Sequence, residues 1–534
     1  MDEIIEYYLQ IFVITFTIGL LTRAYFNYKT KYFSQKGLYT YASFPIVGSL
    51  GPVFFKKYSF PVFCQMMYND LKHFKIAGFY DATKPAYFIS DPDMLRNILV
   101  KDFDHFVDRF HAIPTDAESF FGKNLMSLKG LQWHGVRTAL SPAFTASKMK
   151  NMFVLMTEIA DQLVEFLHHS CRNRKETIGG IFSLEMKDLW TKFAADVIGT
   201  TAYGVKINSL KDPNNEFLAC GKAMTNITVL RAARFFGYAC FPKLMKMLRI
   251  SLLDAKAEKY FSSLIRETIK VREEHNIVRP DMIHLLMQAK KGNLKVDPHE
   301  EDQYHFQRKS AALDISDDLI IGQAVIFFFA GFDTISSVLS FVCYYLAMNV
   351  DVQKKLQEEI RSQIGEDAKK LTYEDIQKMK YLHMVISETL RSIGAPQMDR
   401  ECVKDYIIPA TDSSPEVHIK KGEGLWFSMY GLHHDPEYFP NPEKFDPERF
   451  NEENIHNIKP FTYMPFGMGP RNCIGMRFAL MEAKIALIYL LANFDLCRVE
   501  KTPEKVVFDK SFNLAIEGGF WVGLTPRKTI EIEK

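Results

Sequence analysis

The 534-residue chain has little of what would divide it or staple it together. No Gly-, Ser- or Pro-rich linker, low-complexity tract or internal repeat interrupts it, so composition separates no second core from a first. Its eight cysteines (64, 171, 220, 240, 343, 402, 473, 497) contain no C-x-x-C pair and no small-scaffold framework. That excludes a disulfide-dense fold and fits thiols kept reduced. The net charge is only +2, which leaves no basic excess for nucleic acid. No Rossmann fingerprint or flavin motif occurs, so any electrons the chain uses must come from outside. What it has in quantity is apolar surface: 47% of residues, enough for one large core.

Two apolar segments are long. Tyr7 to Thr22 carries no charge, and Ala24-Tyr25-Phe26 extends it past Arg23. Such a run is marginal to sufficient for crossing a bilayer. Asp2, Glu3 and Glu6 precede it, while Arg23, Lys29, Lys31 and Lys36 follow, which leaves the bulk of the chain in the cytosol. A cleaved signal peptide wants a basic start and a small-residue cleavage site, and a mitochondrial presequence wants arginine without acid; neither pattern is present. The expectation is an uncleaved anchor with its basic flank over 1–30 and a single cytosolic domain over 31–534. Asn226-Ile227-Thr228, a glycosylation pattern, then lies on the wrong side of the membrane for use. Pro45, Gly48, Gly51 and Pro52 read as a turn-prone hinge.

The second segment, Leu319 to Val350, follows Ser316-Asp317-Asp318, a good helix start with acid in the first turn. As a second membrane span it would place Asp333 in lipid at ~2.5–3.5 kcal/mol, with Gln323 adding to the cost. A buried core helix, roughly 48 Å long, is the better reading. Helical periodicity dominates from 133 to 395, and strand-like pieces fall near 75–90, around 400–430 and at the C-terminus. The fold class is mainly α with small β-sheets (α+β). Phe235-Phe236-Gly237-Tyr238-Ala239-Cys240-Phe241-Pro242, followed by Lys243, Lys246 and Arg249, suits a membrane interface and core packing equally.

The chemistry concentrates at Phe466-Gly467-Met468-Gly469-Pro470-Arg471-Asn472-Cys473-Ile474-Gly475. The stretch Met476 to Leu491 after it is apolar at helical spacing, which sets Cys473 at a helix N-terminus, where the dipole and free N–H groups favour an anionic sulfur. Gly467 and Gly469 permit a tight turn, and Gly475 lets the backbone approach a flat macrocycle. Arg471 carries a planar fork suited to a carboxylate. Most free cysteines are small buried hydrophobes, but this frame points to a thiolate ligand of haem iron.

These residues resemble the cysteine loop of the cytochrome P-450 superfamily, F-x-x-G-x-R-x-C-x-G. Four further motifs stand in the family's order: Trp133-His134-Gly135-Val136-Arg137, Ala330-Gly331-Phe332-Asp333-Thr334, Glu388-Thr389-Leu390-Arg391 and Phe445-Asp446-Pro447-Glu448-Arg449-Phe450. Their wording is most like insect members that oxidise xenobiotics. The resemblance implies a haem b with Cys473 as axial ligand to its iron and O2 as co-substrate. It places Phe466, Gly467, Gly475, Ala330 and Gly331 against the cofactor. Trp133, Arg137, Arg109, Arg400 and Arg471 become donors to the propionates. Asp333 and Thr334 form an acid–alcohol pair for proton delivery, with Gly331 letting the helix open locally; a mid-helix threonine otherwise bonds back to the preceding turn. Glu388, Arg391 and Arg449 support the pocket without touching the reaction. Ile335 replaces a second hydroxyl found in many relatives, and Gly394-Ala395 replaces a double proline. Relatives also carry a denser proline cluster at the hinge, which makes this hinge looser.

The implied partners are an NADPH-dependent flavoprotein reductase, with cytochrome b5 as a further donor, and membrane lipid. The implied location is the cytosolic face of the endoplasmic reticulum. His134, Arg137, Arg471 and Arg477 offer a basic patch for an acidic reductase. Phe120, Phe121, Phe327 to Phe329, Met398 and Phe512 to Ile516 outline an apolar pocket for a lipophilic small molecule. The rivals are an isomerase or dehydratase that needs no reductase, a haem sensor or carrier without turnover, and a two-span membrane protein without haem.

Overall fold

The uncharged N-terminal run folds as α1 (Asp2–Ser34), one unbroken helix. At 1.5 Å per residue it is about 50 Å long, more than the ~30 Å of a bilayer's hydrocarbon. The most apolar 18-residue window of Ile5–Ser34 has a mean hydropathy of 1.5, and none of it is buried against the chain. The last turns behave differently. Phe33 is fully buried, its ring 5.5 Å from that of Tyr80 and 5.4 Å from that of Tyr87. Gly78 makes this possible, because a Cβ there would lie 2.2 Å from the Phe33 ring. Tyr32 donates to Glu423, and Lys36 Nζ donates to the His418 carbonyl at 2.7 Å. Gly37, at φ +70°, ends the helix, with the Leu38 N–H returning to the Phe33 carbonyl at 3.0 Å. The helix therefore passes through residue 30 without a break, and its last turns are clasped by the rest of the chain. The expected loose hinge is also stitched down: Gly48 bridges Asp81, and the Ser49 N–H donates to the Tyr80 carbonyl at 2.7 Å. Pro45 lies outside the described residues. The computed structural model describes residues 2–44, 47–114, 120–172, 177–178, 180–279, 281–291, 315–365, 367–410, 415–511 and 514–527.

The described strands are β1 (Ile76–Asp81), β2 (Lys84–Ile89), β3 (Thr177–Ile178), β4 (Ile181–Glu185) and β5 (Met398–Glu401). After them come β6 (Tyr406–Ile408), β7 (Val417–Ile419), β8 (Gly424–Phe427), β9 (Phe494–Cys497) and β10 (Trp521–Pro526). One sheet has the order β1-β2-β8-β5, a second has β3-β4-β10-β9, and β6-β7 form a hairpin. β1 and β2 are antiparallel with Ile76 opposite Ile89; β8 runs parallel to β2 and antiparallel to β5, with Arg400 opposite Leu425. Edge strand β5 is sewn to the chain around Asp108, whose carbonyl accepts the Glu401 N–H at 2.8 Å. That pairing carries Arg109 and Arg400 to one place. β3 and β4 interrupt a stretch whose local periodicity is helical. They exist because β10, from the far end of the chain, supplies their pairing partner.

The helices that position the site are α2 (Gly130–Leu140), α3 (Ala146–Arg172), α4 (Met186–Ile198), α5 (Val229–Cys240), α6 (Asp317–Met348), α7 (Val350–Ile364), α8 (Lys380–Ile393) and α9 (Met476–Asn493). Ser316 caps α6 by accepting the Leu319 N–H, and Asp317 and Asp318 fill the first turn. α6 packs most extensively on α4 and also touches α8 and α9. Gln323 settles which kind of long apolar helix this is. Its Nε2 donates to the Lys123 carbonyl at 2.7 Å, and its Oε1 accepts the Leu125 N–H at 2.8 Å. A polar side chain satisfied by protein belongs to a core helix.

Candidate haem-binding site

The cysteine loop is built by backbone close contact. The Cys473 N–H donates to the Phe466 carbonyl at 2.8 Å and the Asn472 N–H to the Gly469 carbonyl at 3.0 Å. Gly467 and Gly469 sit at φ +73° and +76°. Gly469 has no alternative, since a Cβ there would fall 1.9 Å from the Leu99 carbonyl oxygen. Met476 opens α9 directly after Gly475, so Cys473 lies just ahead of the helix as its sequence indicated. Burial pushes the thiol up, opposed by the Gly475 N–H and the Arg137 and Arg109 charges. A bound cation would favour the thiolate against that burial. One face of Cys473 is open, and a Cβ on Gly475 would meet only a Phe144 ring atom at 3.9 Å, so a flat group can lie against this stretch.

The donor set is distinctive. Arg400 is fully buried, and its Nη1 donates to the Asp399 carbonyl at 2.7 Å while Nε and Nη2 have no partner. Arg471, also buried, donates from Nη2 to the Leu128 carbonyl at 2.7 Å, and its Nε and Nη1 have none. Trp133 lies 4.3 Å from the Arg471 guanidinium, a cation–π support. Arg109 is near both; its Nη1 is 3.9 Å from Asp399, too far for a hydrogen bond. Burial first, and then each neighbour's charge, presses Arg400 and Arg471 toward neutrality. Buried, under-bonded cations of one sign fit a ligand that brings two carboxylates, as haem does.

Other expected roles change. Arg137 donates to Asn472, at 3.0 Å to its carbonyl and 2.7 Å to its side chain, so it braces the cysteine loop. Arg471 is buried and does not belong to a surface patch for a reductase, which leaves half-buried His134 and Arg137 and exposed Arg477 of the four residues. Along α6, Ala330 and Thr334 are exposed amid buried neighbours and form one open stripe. The Thr334 hydroxyl donates back to the Ala330 carbonyl, so it faces that opening as an acceptor. α6 does not open at Gly331; the glycine instead admits Ile198 of α4, which a Cβ would approach to 2.8 Å.

Asp333 pairs with a residue the sequence reading missed. Lys187 Nζ lies 2.9 Å from Asp333 Oδ1 and donates to the hydroxyls of Ser336 at 2.9 Å and Ser337 at 2.6 Å. Ile335 is buried, so the hydroxyls that follow it serve this lysine. The signal was there: Lys187 shares a helical stripe with the buried Trp190, Thr191 and Ala194.

The supporting triad behaves as read. Arg391 Nε and Nη2 hold Glu388 at 2.8 and 2.9 Å, while Nη1 and Nη2 also reach the carbonyls of His433 and Pro442. Arg449 Nε lies 3.5 Å from Glu388. Gly394 has a cause too: a Cβ there would sit 2.7 Å from His433 Nδ1. Of the pocket aromatics, Phe328 is turned into the core against Phe261 and Phe332, and Met398 packs under Gly467. Phe121 meets Phe329 at 6.1 Å and Phe235 of α5 at 6.3 Å, an aromatic group drawn from three elements. Phe512 lies outside the described residues.

A cysteine loop, a buried arginine pair and a long core helix with an open stripe carrying one hydroxyl define a haem-thiolate oxidoreductase. The cytochrome P450 family model matches residues 43–520, and the chain belongs to that family. It is similar to cytochrome P450 9e2 of Blattella germanica, at 45% identity over 97% of this chain and 98% of that one. It is also similar to probable cytochrome P450 9f2 of Drosophila melanogaster, at 38% over 93% and 95%. Cytochrome P450 9b2 of the same fly is 36% identical over 96% and 98%. The chain is accordingly a haem-thiolate monooxygenase, with insect relatives among its matches.

Proposed function

We propose that this monooxygenase is anchored in the endoplasmic reticulum membrane by α1 and inserts one oxygen atom into a lipophilic small molecule. An NADPH-dependent flavoprotein reductase supplies the electrons, with cytochrome b5 as a second donor. The observation that carries the reading is the set of four unpartnered buried nitrogens on Arg400 and Arg471 beside an open-faced Cys473. Cys473 would ligate the haem iron, Arg109, Arg400 and Arg471 would hold the propionates, and Trp133 supports Arg471. Arg137, Phe466, Gly467 and Gly475 shape the loop, and Ala330 with Gly331 lines the opposite wall. When bound, thiolate-ligated haem supplies the activation of dioxygen.

The chain's own contribution is proton control and exclusion of water. Thr334 offers its hydroxyl oxygen to a proton donor in the opening, while the neighbouring Asp333 is paired to Lys187, whose ammonium carries the protons. Phe121, Phe235 and Phe329 favour an apolar substrate. Membrane contact is supported by the uncovered apolar face of α1. A second contact is supported by exposed Leu230, Phe241, Leu244 and Met247, with Lys243 and Lys246 beside them. Tyr238 in that segment is buried, so it serves the core as well.

The test is reconstitution of the full chain with a reductase in phospholipid vesicles. The expected result is consumption of NADPH and O2 that rises with a lipophilic substrate and yields a hydroxylated product. Rearrangement of an organic peroxide without NADPH would favour the isomerase reading, and haem without turnover would favour a sensor.

A further inference from the structure

His111 follows the Asp108-Arg109 pair and is clamped from two sides. Its Nε2 contacts Asp81 of β1, and its Nδ1 contacts Asp399 of β5. Its backbone N–H also donates to Asp399 Oδ2 at 3.0 Å. Asp81 and Asp399 are both buried, whereas 34% of the His111 side chain is exposed. β8 contributes the neutral Trp426, whose ring centroid is 5.8 Å away. Other charges near it are Arg109 on its own segment, Arg400 beside Asp399, and Lys84 of β2, which is opposite Asp81 and over the Phe110 ring. An ionised carboxylate only accepts hydrogen bonds, so a carboxylate on each ring nitrogen requires both nitrogens to donate. Between two ionised carboxylates this side chain is an imidazolium.

The consequence lies one residue further on. Asp108 Oδ1 lies 3.6 Å from Arg471 Nη2, and Asp399 is the acid beside Arg109 and Arg400. The nearer oxygen of Asp399 nevertheless stays 3.9 Å from Arg109 Nη1 because the other is held by His111. We propose that His111 is a positioning residue for cofactor binding: by occupying Asp399 it keeps that carboxylate from pairing with Arg109 and Arg400, whose N–H groups stay free for the haem propionates. This rests on the propionate reading given above. Burial works against the imidazolium, but the Asp81 and Asp399 carboxylates outweigh it and hold its pKa well above the ordinary value. A raised histidine pKa means the clamp is intact through neutral pH and is lost as pH climbs through that raised value.

The test is the rate at which the haem-loaded full chain gives up haem to excess apomyoglobin, measured across pH. Wild type is expected to release slowly through neutral pH and faster as the imidazolium deprotonates. His111→Phe is expected to release about tenfold faster at neutral pH, the scale of a lost charged hydrogen bond, with the pH step gone. Adding Asp399→Asn to His111→Phe removes the competing carboxylate and is expected to slow release again. A purely structural histidine would not give that rescue. If His111→Phe fails to fold, Asp81→Asn opens the same clamp from the other side and is expected to speed release. Wild-type rates in these variants, or no rescue, would overturn the proposal. Arg400→Gln and Arg471→Gln are the separate control: if neither speeds release, the propionate reading fails, and if both do while His111→Phe does not, only this inference fails.

Discussion

Lys187→Met tests whether one ion pair ties α4 to the middle of α6. The ammonium has four oxygen partners, Asp333 Oδ1 and carbonyl and the Ser336 and Ser337 hydroxyls, at 2.9, 3.0, 2.9 and 2.6 Å. Breaking a fully buried pair costs ~3–5 kcal/mol, and an exposed one is worth ~0–1 kcal/mol. Lys187 is 23% exposed and Asp333 30%, so water replaces part of what is lost. Either Lys187→Met or Asp333→Asn is therefore expected to cost ~1–3 kcal/mol, chiefly by stranding the other charge. Burial already pushes the Lys187 pKa down, which shows that its charge is held at a cost. Removing both charges returns that cost, and the double variant is expected within ~1 kcal/mol of wild type. Urea unfolding followed by tryptophan fluorescence, to which Trp190 on the same helix contributes, gives the three midpoints. A double variant that loses the sum of the singles, or singles indistinguishable from wild type, would refute the reasoning.

Three further outcomes are expected. Gly394→Ala drives a methyl into His433 Nδ1 and is expected to cost ~1–3 kcal/mol in the urea midpoint, with haem content falling in parallel. Asp196, raised to about 7 by burial, accepts the Ser209 N–H at 2.9 and 3.0 Å. The folded chain then keeps a proton that the unfolded chain releases near pH ~4, so stability falls as pH rises from there to about 7, by ~2–4 kcal/mol. Unfolding midpoints for Asp196→Asn should lack that fall. Gly78→Ala expels the Phe33 ring and should free the end of α1, read as faster tryptic cleavage at Lys31 and Lys36 in vesicle-bound protein; unchanged cleavage would mean that the clasp does not hold the helix.

Much of the site was legible because its residues declare themselves over short distances. The cysteine loop needs glycines at positive φ and a following helix, and both are local. Glu388 and Arg391 share a helix face, and the length of α6 follows from its apolar run. What stayed hidden depends on partners far along the chain. β3 and β4 look helical until β10 arrives. Lys187 looks like a solvated lysine until α6 brings Asp333 to it, and the loose hinge disappears once β1 pairs with it. Phe327, Phe328 and Phe329 are adjacent in sequence, yet a step of about 100° per residue sends them to different neighbours. The propionate arginines stand far apart in the sequence, and only the fold brings buried Arg400 and Arg471 together beside the half-buried Arg109.

The most direct measurement is the carbon monoxide difference spectrum of the reduced, full-length protein beside Cys473→Ala. The account predicts a strongly red-shifted Soret band in wild type and its loss in the variant. A Soret band at the position of a histidine- or thiol-ligated haem in fresh, folded wild type would contradict it, as would a variant that keeps the red shift.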